Sequence, residues 1–370
     1  MRSGFVAVAL GCATLMSSLA RAEDIVLGQS VALTGPAQAL GRDMRLGAKI
    51  YFDQVNAAGG IRGRKIVLRT LDDGYDPPRA EANTKALVAN GDVLALFGYV
   101  GTPTAAVSVP VATAAKVPFF GAFTGAELLR TPLNRYVFNV RASYFDETEA
   151  IVRQMTQGGV TKIAVFYQND SYGQAGLSGV ERALQKRNMT VTAKATVERN
   201  STDVAAAIST MVAAAPDVII MISAYGSCSE FIKQAKAKGL LARFVNVSFV
   251  GTRALATALG PASDGVMISQ VMPPPTATKY AVVSDYQKAL RAAGVTDFSY
   301  TSLEGYIAAR VFVEALRRGG DASRDALIRA LEGLRGLDVG GFSVSFAPDN
   351  HNGSKFVEMT VLNKNGDVRY

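Results

Sequence analysis

Strand and helix patterns alternate along most of this 370-residue chain, and this alternation limits its fold more than any other feature. Short apolar runs such as Asp92 to Phe97 predict buried strands, and longer stretches with an apolar stripe, such as residues 40–58, predict helices. Strict alternation is typical of parallel sheets with helices on both faces. Because a second series begins after Val137 to Val140, the sequence predicts an α/β protein with two doubly wound lobes.

The segment Met272-Pro273-Pro274-Pro275-Thr276 is the clearest linker, since three prolines continue neither a sheet nor a helix. Helix patterns follow it, so we expect the chain to cross back to the first lobe at this point. The predicted first lobe comprises residues 23–142 and about 274–352, and the predicted second lobe comprises residues 143–273 and about 353–370.

Residues 1–22 have the pattern of a signal peptide, with a charged start at Arg2, an apolar stretch and the small-residue cleavage site Ala20-Arg21-Ala22. Cleavage after Ala22 removes Arg2 and Arg21, which lowers the formal net charge from +8 to +6. A lipoprotein acylated at Cys12 is the alternative, although the apolar run before Cys12 is short. Both interpretations predict export.

The composition argues against several classes of function. Basic residues are scattered and are not interleaved with aromatic residues, which argues against nucleic-acid binding. Cys228 is the one cysteine after the signal sequence, so no intrachain disulfide is expected. The one histidine, His351, lies in a sequence typical of a surface turn, and no nucleophilic triad or zinc spacing can be assembled from the sequence. The sequence therefore favours binding over catalysis and predicts no cofactor and no metal.

The turn after the strand at residues 92–97 has the form of an anion site. Gly98 and Gly101 break the apolar run, Thr102 is a suitable N-cap and Pro103 suits the first helical position. A helix that begins there presents free backbone N–H groups, which hold a carboxylate or a phosphate. The alternative is an ordinary joint between a strand and a helix.

Six short segments occur in an order and at a spacing that are specific when taken together. They are Leu33-Thr34-Gly35-Pro36, Asn56 to Arg64, Asp72-Asp73, Phe119 to Thr124, Asn169 to Gly173 and Gln234 to Gly239. In these segments the chain resembles the periplasmic solute-binding proteins of branched-chain amino acid importers, the leucine/isoleucine/valine-binding type. The resemblance implies two Rossmann-like lobes joined by three crossovers and closing on a small ligand. It also implies a periplasmic receptor, expected to be monomeric, whose partner is an ABC permease in the inner membrane.

The resemblance implies ligand contacts at five positions. Thr102 matches the hydroxyl residue that helps to hold the ligand carboxylate. Ala122 and Thr124 match the segment whose backbone and hydroxyl contact the carboxylate and the amino group. Tyr172 and Tyr225 match aromatic positions that the second lobe brings over the ligand, and ordinary loop packing is the alternative for both tyrosines.

Two departures from the family pattern affect this expectation. Tyr75 and Gly101 stand where typical members carry a disulfide. Ser248 falls near the acidic residue that anchors the ligand ammonium, and serine cannot neutralise an ammonium. Either another acid, Asp146 or Glu304, takes that role, or the ligand has no free amino group.

The sequence therefore predicts a receptor for a small carboxylate-bearing solute. A branched-chain or other amino acid is the family default, and an aliphatic or aromatic carboxylate, or an amide, is the alternative. Two rival classes are an exported enzyme that uses a carboxylate such as Glu304 or Asp146, and a sensory ligand-binding module. The absence of an attached effector domain argues against the sensory module.

Overall fold

The computed structural model describes residues 23–370, which form two large sheets flanked by helices and one separate two-stranded hairpin. The predicted signal peptide and Cys12 lie outside the described residues. We keep the predicted lobe boundaries as a proposal, and lobe 1 and lobe 2 below denote those two parts of the chain. No helix within residues 23–370 combines the length and the apolar character needed to cross a membrane.

The first series of elements builds one parallel sheet. In chain order its elements are β1 (Ile25–Val31), α1 (Gln38–Ala57), β2 (Ile66–Asp72), α2 (Pro77–Ala89), β3 (Val93–Phe97), α3 (Thr102–Ala114), β4 (Phe119–Phe120) and β5 (Val137–Phe138). The strands lie side by side in the order β2-β1-β3-β4-β5. The strand order reverses between β1 and β3, and ligands of such sheets bind beyond the carboxyl ends of the strands at that point.

The second series repeats this plan. Its elements are α4 (Tyr144–Gln157), β6 (Ile163–Gln168), α5 (Ser171–Gln185), β7 (Lys194–Val197), α6 (Ala205–Ala214), β8 (Val218–Ile222), α7 (Tyr225–Ala237), β9 (Arg243–Asn246), α8 (Thr252–Leu259) and β10 (Met267–Gln270). These five strands are parallel, and their order reverses between β6 and β8. A short 3-10 turn, Ser248–Val250, follows β9 at the same edge of the sheet.

The last quarter of the chain adds three helices, a two-stranded hairpin and two strands at one edge of the second sheet. Its elements are α9 (Ala281–Ala292), α10 (Tyr300–Arg318), α11 (Arg324–Glu332), β11 (Leu337–Asp338), β12 (Ser343–Val344), β13 (Glu358–Leu362) and β14 (Val368–Arg369). Helix α10 packs closely along α1, because Gly47 of α1 and Gly305 of α10 face each other's helix where no Cβ has room. This close packing fixes Glu304, the residue before Gly305, beside the cleft.

The predicted α/β class with two doubly wound sheets is confirmed. The expectation of parallel strands does not hold at one edge of the second sheet, where β13 runs antiparallel to β10 and β14 antiparallel to β13. The strand expected over Phe342 to Phe346 is only the hairpin strand β12, paired with β11 outside both sheets. His351 is buried against Phe138, so its prediction as a surface-turn residue is wrong.

Candidate functional site

The carboxyl ends of the two sheets face each other, and aromatic side chains fill the space between them. From lobe 1, the rings of Tyr75 and Phe123 lie 6.0 Å and 5.4 Å from the ring of Phe249 in lobe 2. Tyr172 of lobe 2 also packs against Phe249, at 4.5 Å between ring centroids. The Gln168 amide donates a hydrogen bond of 3.3 Å to the Tyr75 hydroxyl. The structure therefore has the two lobes closed on each other.

The N-terminus of α3 reaches this interface, but its cap differs from the prediction. Gly101, with φ of 104°, is the N-cap, and Thr102 is the first helical residue. The prediction of Thr102 as the N-cap is therefore wrong by one position. The ring of Tyr75 covers Gly101 so closely that a Cβ there would clash with it. Tyr75 and Gly101, which stand where typical family members carry a disulfide, are therefore in direct contact here without a covalent bond.

The hydroxyl groups at the α3 terminus bond to one another. Thr102 Oγ1 lies 2.6 Å from Thr124 Oγ1, and Thr124 Oγ1 donates to the Tyr144 hydroxyl at 3.3 Å. The carbonyl of Ala122 accepts the Thr124 backbone N–H at 2.9 Å. These side chains are buried. The predicted anchor at this helix terminus is therefore covered by Tyr75, with its hydroxyl groups already partnered.

A buried arginine, Arg141, occupies the segment between β5 and α4. Its Nη2 donates to the Ser248 hydroxyl of lobe 2, and its guanidinium stacks on Phe123 at 4.5 Å. Its Nε lies 3.4 Å from a carboxylate oxygen of Glu304. Nevertheless, Nε and Nη1 have no hydrogen-bond partner among the described residues. Two buried cationic donors with unmade hydrogen bonds are costly, so this is where an anionic ligand gains most.

Glu147, which the sequence analysis missed, lies on the lobe 2 side of Arg141. Its carboxylate accepts hydrogen bonds from the Ser248 backbone N–H at 2.8 Å, the Ser248 hydroxyl at 3.0 Å and the Ser269 hydroxyl at 2.5 Å. The neighbouring Asp146 instead completes the capping box of α4 with Ser143 and lines a different groove, which Ser248 and Glu304 do not line. The structure therefore brings Glu147 to Ser248, and it does not bring Asp146 there.

Glu304 is the predicted residue that the structure does bring to Ser248. A small internal cavity of about 10 Å³ lies between the lobes, and Arg141, Ser248, Glu304, Phe123 and Tyr300 are among its lining residues. A volume of that size admits about one water molecule. A solute larger than water therefore enters only when the lobes separate.

Arg141, Glu147 and Glu304 form a buried cluster in which the pKa of each group is affected by at least one of the others. Burial raises the pKa of Glu304 to about 7, although the Arg141 guanidinium opposes that rise. Burial also raises the pKa of Glu147, against the opposing effects of Arg141 and the serine donors. Burial acts to lower the pKa of Arg141, but Glu304 and Glu147 more than offset it and the pKa is raised. Arg141 is therefore a permanent cation, and Glu304 titrates near neutral pH.

The two predicted tyrosines have different positions. The Tyr172 ring is buried in the aromatic cluster, and its hydroxyl has no hydrogen-bond partner within residues 23–370. Tyr225, the first residue of α7, is half-buried at the interface and lies against the backbone of Ala39 and the side chain of Arg42 in lobe 1. Tyr172 thus lies within the cleft, whereas Tyr225 connects the lobes at one side of it.

Both residues that the sequence analysis missed had a signal in the sequence. Arg141 is a lone charge directly after the predicted strand Val137 to Val140, where burial requires a partner. Glu147 falls on the apolar stripe of α4, three positions after Tyr144 and four before Ile151, all of which are buried. Periodicity alone therefore places Glu147 inward, on the side of the helix away from solvent.

Comparison with known proteins identifies the family. The family model described as "Periplasmic binding protein" matches residues 24–367. The chain belongs to this family. A curated relative, "Leu/Ile/Val-binding protein homolog 7" of Brucella suis biovar 1 (strain 1330), is 26% identical over 371 residues, covering 93% of this chain and 91% of the relative.

Solved structures agree with this assignment to the periplasmic binding proteins. A possible leucine/isoleucine/valine-binding protein from Rhodopirellula baltica SH 1 superimposes with a TM-score of 0.91 at 34% identity, over 95% of this chain and 97% of that one. A branched-chain amino acid ABC transporter protein from Thermus thermophilus, with bound valine, has a TM-score of 0.84 at 18% identity, over 94% and 95% of the chains. The fold is therefore that of a type I periplasmic binding protein. The family's members are solute receptors.

Proposed function

We propose that this periplasmic binding protein captures a small carboxylate-bearing solute between its lobes and delivers it, as an exported monomer, to an ABC permease in the inner membrane. The observation that supports the proposal most directly is Arg141, whose Nε and Nη1 lie buried beside the cavity without hydrogen-bond partners in the described structure. A carboxylate accepts a strong, charge-assisted hydrogen bond from such a guanidinium N–H. Phe123 and Tyr172 supply an apolar and aromatic surrounding.

Capture requires a hinge motion. Arg141 belongs to lobe 1 and its present partner Ser248 belongs to lobe 2, so opening the lobes separates them. A ligand carboxylate that binds Arg141 in the open form would then meet Ser248 and Tyr172 on closure. This is the hinge closure that two-lobed binding proteins use, and closure would create the surface that the permease recognises.

The presence or absence of an ammonium group on the ligand distinguishes the two ligand classes predicted from the sequence. An amino acid needs an acidic partner for its ammonium, and Ser248 cannot provide one. Glu147 already accepts three hydrogen bonds, which leaves Glu304 as the nearby acid with free acceptor capacity. The state of Glu304 therefore determines whether an ammonium is accepted.

A thermal-shift screen with matched probes tests the proposed ligand class. The probes are L-leucine and 4-methylpentanoate, which differ only in the ammonium group, L-phenylalanine and 3-phenylpropanoate, which differ in the same way, and 4-methylpentanamide, which lacks the carboxylate. A ligand at 100 times its Kd stabilises the folded protein by about 2.7 kcal/mol. We expect stabilisation by at least one carboxylate and none by the amide. Stabilisation by the amide alone, or by no probe, would refute a carboxylate receptor of this kind.

Uptake measurements test the transport role. We expect a strain that lacks this protein to accumulate the radiolabelled ligand more slowly, and to recover when the gene is restored. Unchanged uptake alongside confirmed binding would point to the sensory role instead. Incubation of the purified protein with the same ligand, followed by product analysis, separates binding from the enzymatic alternative.

A further inference from the structure

Glu304 differs from the other buried carboxylate of the cluster in its hydrogen bonding. Glu147 accepts three hydrogen bonds from Ser248 and Ser269. Within the described part of the chain, no side chain or backbone group donates a hydrogen bond to the Glu304 carboxylate, whose nearest cationic atom is Arg141 Nε at 3.4 Å. Glu304 also lines the cavity. Of the two acids, it is the one that is free to change its protonation state.

The charges that face Glu304 balance one another before any ligand binds. Arg130 approaches from the segment before β5, Arg141 from the segment after β5, and Glu147 from α4. Arg130 is itself buried, and it donates hydrogen bonds to the carbonyls of Arg141 and Ala142. With both glutamates ionised, the cluster holds two positive and two negative charges.

The other helices packed against α10 add acids at a greater distance along it. Asp43 of α1 accepts a hydrogen bond of 2.7 Å from Ser299, at the N-cap of α10. Asp285 of α9 pairs with Arg310 at 2.7 Å, more than a turn beyond Glu304. Both acids have partners of their own. The charges that act on Glu304 are therefore those of Arg141, Arg130 and Glu147.

A ligand carboxylate changes this balance. It would add one negative charge to a buried, neutral cluster, and an uncompensated buried charge is unfavourable. Protonation of Glu304 removes the excess and turns its carboxyl group into a hydrogen-bond donor that faces the ligand. Burial has already raised the pKa of Glu304 to about 7, so this carboxyl group is able to take up a proton near neutral pH when a second negative charge arrives.

We propose that binding of a carboxylate beside Arg141 is coupled to the uptake of one proton by Glu304, and that this coupling makes the cleft selective for monocarboxylates without an ammonium group. The inference rests on the proposed function and specifies its substrate class. An amino acid brings its own positive charge, which would pair with ionised Glu304. Its binding would then require no proton and would release any proton that Glu304 carried.

Isothermal titration calorimetry on the mature protein tests the coupling. The probes are 4-methylpentanoate and 3-phenylpropanoate, each titrated at pH 8 in phosphate and in Tris, whose ionisation enthalpies differ. We expect the apparent binding enthalpies in the two buffers to differ by the amount that corresponds to about one proton taken up. We also expect the Kd to become roughly tenfold weaker between pH 7.5 and 8.5, since one proton is linked to binding.

Two variants assign the proton to Glu304. Glu304→Gln keeps a neutral donor of nearly the same shape, so we expect it to bind the same probe without proton uptake and with an affinity that is independent of pH. Asp73→Asn removes a different buried carboxyl group of lobe 1, and it should retain the pH dependence of the parent protein. Loss of that dependence in Asp73→Asn and not in Glu304→Gln would overturn the assignment.

The possible outcomes separate this inference from the proposed function. Carboxylate binding with proton uptake supports both. Carboxylate binding without proton uptake overturns the coupling and leaves the receptor role intact. Preferential binding of L-leucine or L-phenylalanine over its partner lacking the ammonium, with proton release or none, overturns the selectivity. If none of the carboxylate probes binds, the proposed function and the inference fail together.

Discussion

Two buried regions meet the interlobe cleft, and they differ in what folding leaves unpaired. At the α3 terminus, the hydroxyls of Thr102 and Thr124 bond to each other, and Tyr75 covers the backbone. Between β5 and α4, which we call the hinge region, the Arg141 guanidinium keeps two buried nitrogens without hydrogen-bond partners among the described residues. Since an unmade hydrogen bond of a buried cation is far more costly than that of a hydroxyl, the comparison assigns the ligand's negative charge to the hinge region.

The largest expected effect is that of removing Arg141. We expect Arg141→Met to weaken carboxylate binding at least about 30-fold, because loss of a buried, hydrogen-bonded charge partner costs about 2–5 kcal/mol. Calorimetry with whichever carboxylate probe stabilises the protein measures the change. If affinity falls less than about fivefold, the hinge region does not hold the ligand.

Controls for this variant separate binding from folding. Arg141→Met leaves Glu147 and Glu304 without their cation, so its circular dichroism spectrum and Tm must be recorded at the titration temperature. Arg141→Lys keeps the charge but loses the planar pair of donors, and we expect an intermediate affinity. Arg135→Ala removes an exposed arginine paired with Asp325, and its affinity should equal that of the parent.

The second prediction concerns the loop that covers the α3 terminus. Asp73 is buried, accepts hydrogen bonds from Ser30 at 2.7 Å and the Tyr75 N–H at 2.8 Å, and burial raises its pKa to about 6. Because the pKa is higher in the folded state than the usual 3.8, this carboxyl group stabilises the fold most below pH 3.8. That contribution is lost as the pH rises to about 6. The loss is at most about 3 kcal/mol, as two pKa units correspond to nearly that free energy.

Asp73→Asn should therefore be more stable than the parent near pH 7, and its advantage should shrink as the pH falls from 6 towards 4. Denaturant unfolding of the two proteins at several pH values measures this difference, and taking the difference cancels the contribution of Glu304. An advantage that grows towards low pH would show that Asp73 is ionised in the folded protein at pH 5. A buried ionised carboxylate would then lie beside the α3 terminus as well as beside Arg141.

Sequence patterns were sufficient to predict the fold, but not the cluster formed by Arg141, Glu147, Ser248 and Glu304. The reason is physical. The alternation of strand and helix patterns reports local preferences, so it predicted the two mainly parallel sheets. The pairing of Arg141 with Ser248 joins residues 107 positions apart, and no local pattern encodes it. The N-terminus of α3 was predicted within one residue, but the sequence does not show that Tyr75, 26 positions earlier, covers it.

A smaller effect is expected from Thr102→Val, at the other region of the comparison. The change removes one buried hydrogen bond, to Thr124, so unfolding should become easier by about 1 kcal/mol. The ligand's affinity should change less than threefold, because the carboxylate lies at the hinge. Thr104→Val is the matched control, since Thr104 bonds only to the carbonyls of Val100 and Gly101 in its own turn. If Thr102→Val binds more than tenfold more weakly than Thr104→Val, the carboxylate lies at the α3 terminus after all.

The smallest expected effect belongs to Tyr225, which touches neither region but connects the lobes at the side of the cleft. Its hydroxyl lies against the backbone of Ala39 in lobe 1, so Tyr225→Phe removes one contact that exists only in the closed form. Loss of this contact lowers the population of the closed form, and the apparent affinity of a ligand that binds the closed form falls with it. For one half-buried hydroxyl we expect a two- to threefold weaker Kd. Tyr136→Phe, a partly buried tyrosine of lobe 1 away from the interface, should leave the Kd unchanged. A tenfold loss in Tyr225→Phe would mean that α7 contacts the ligand itself, and the ligand would then extend from Arg141 along the cleft towards that helix.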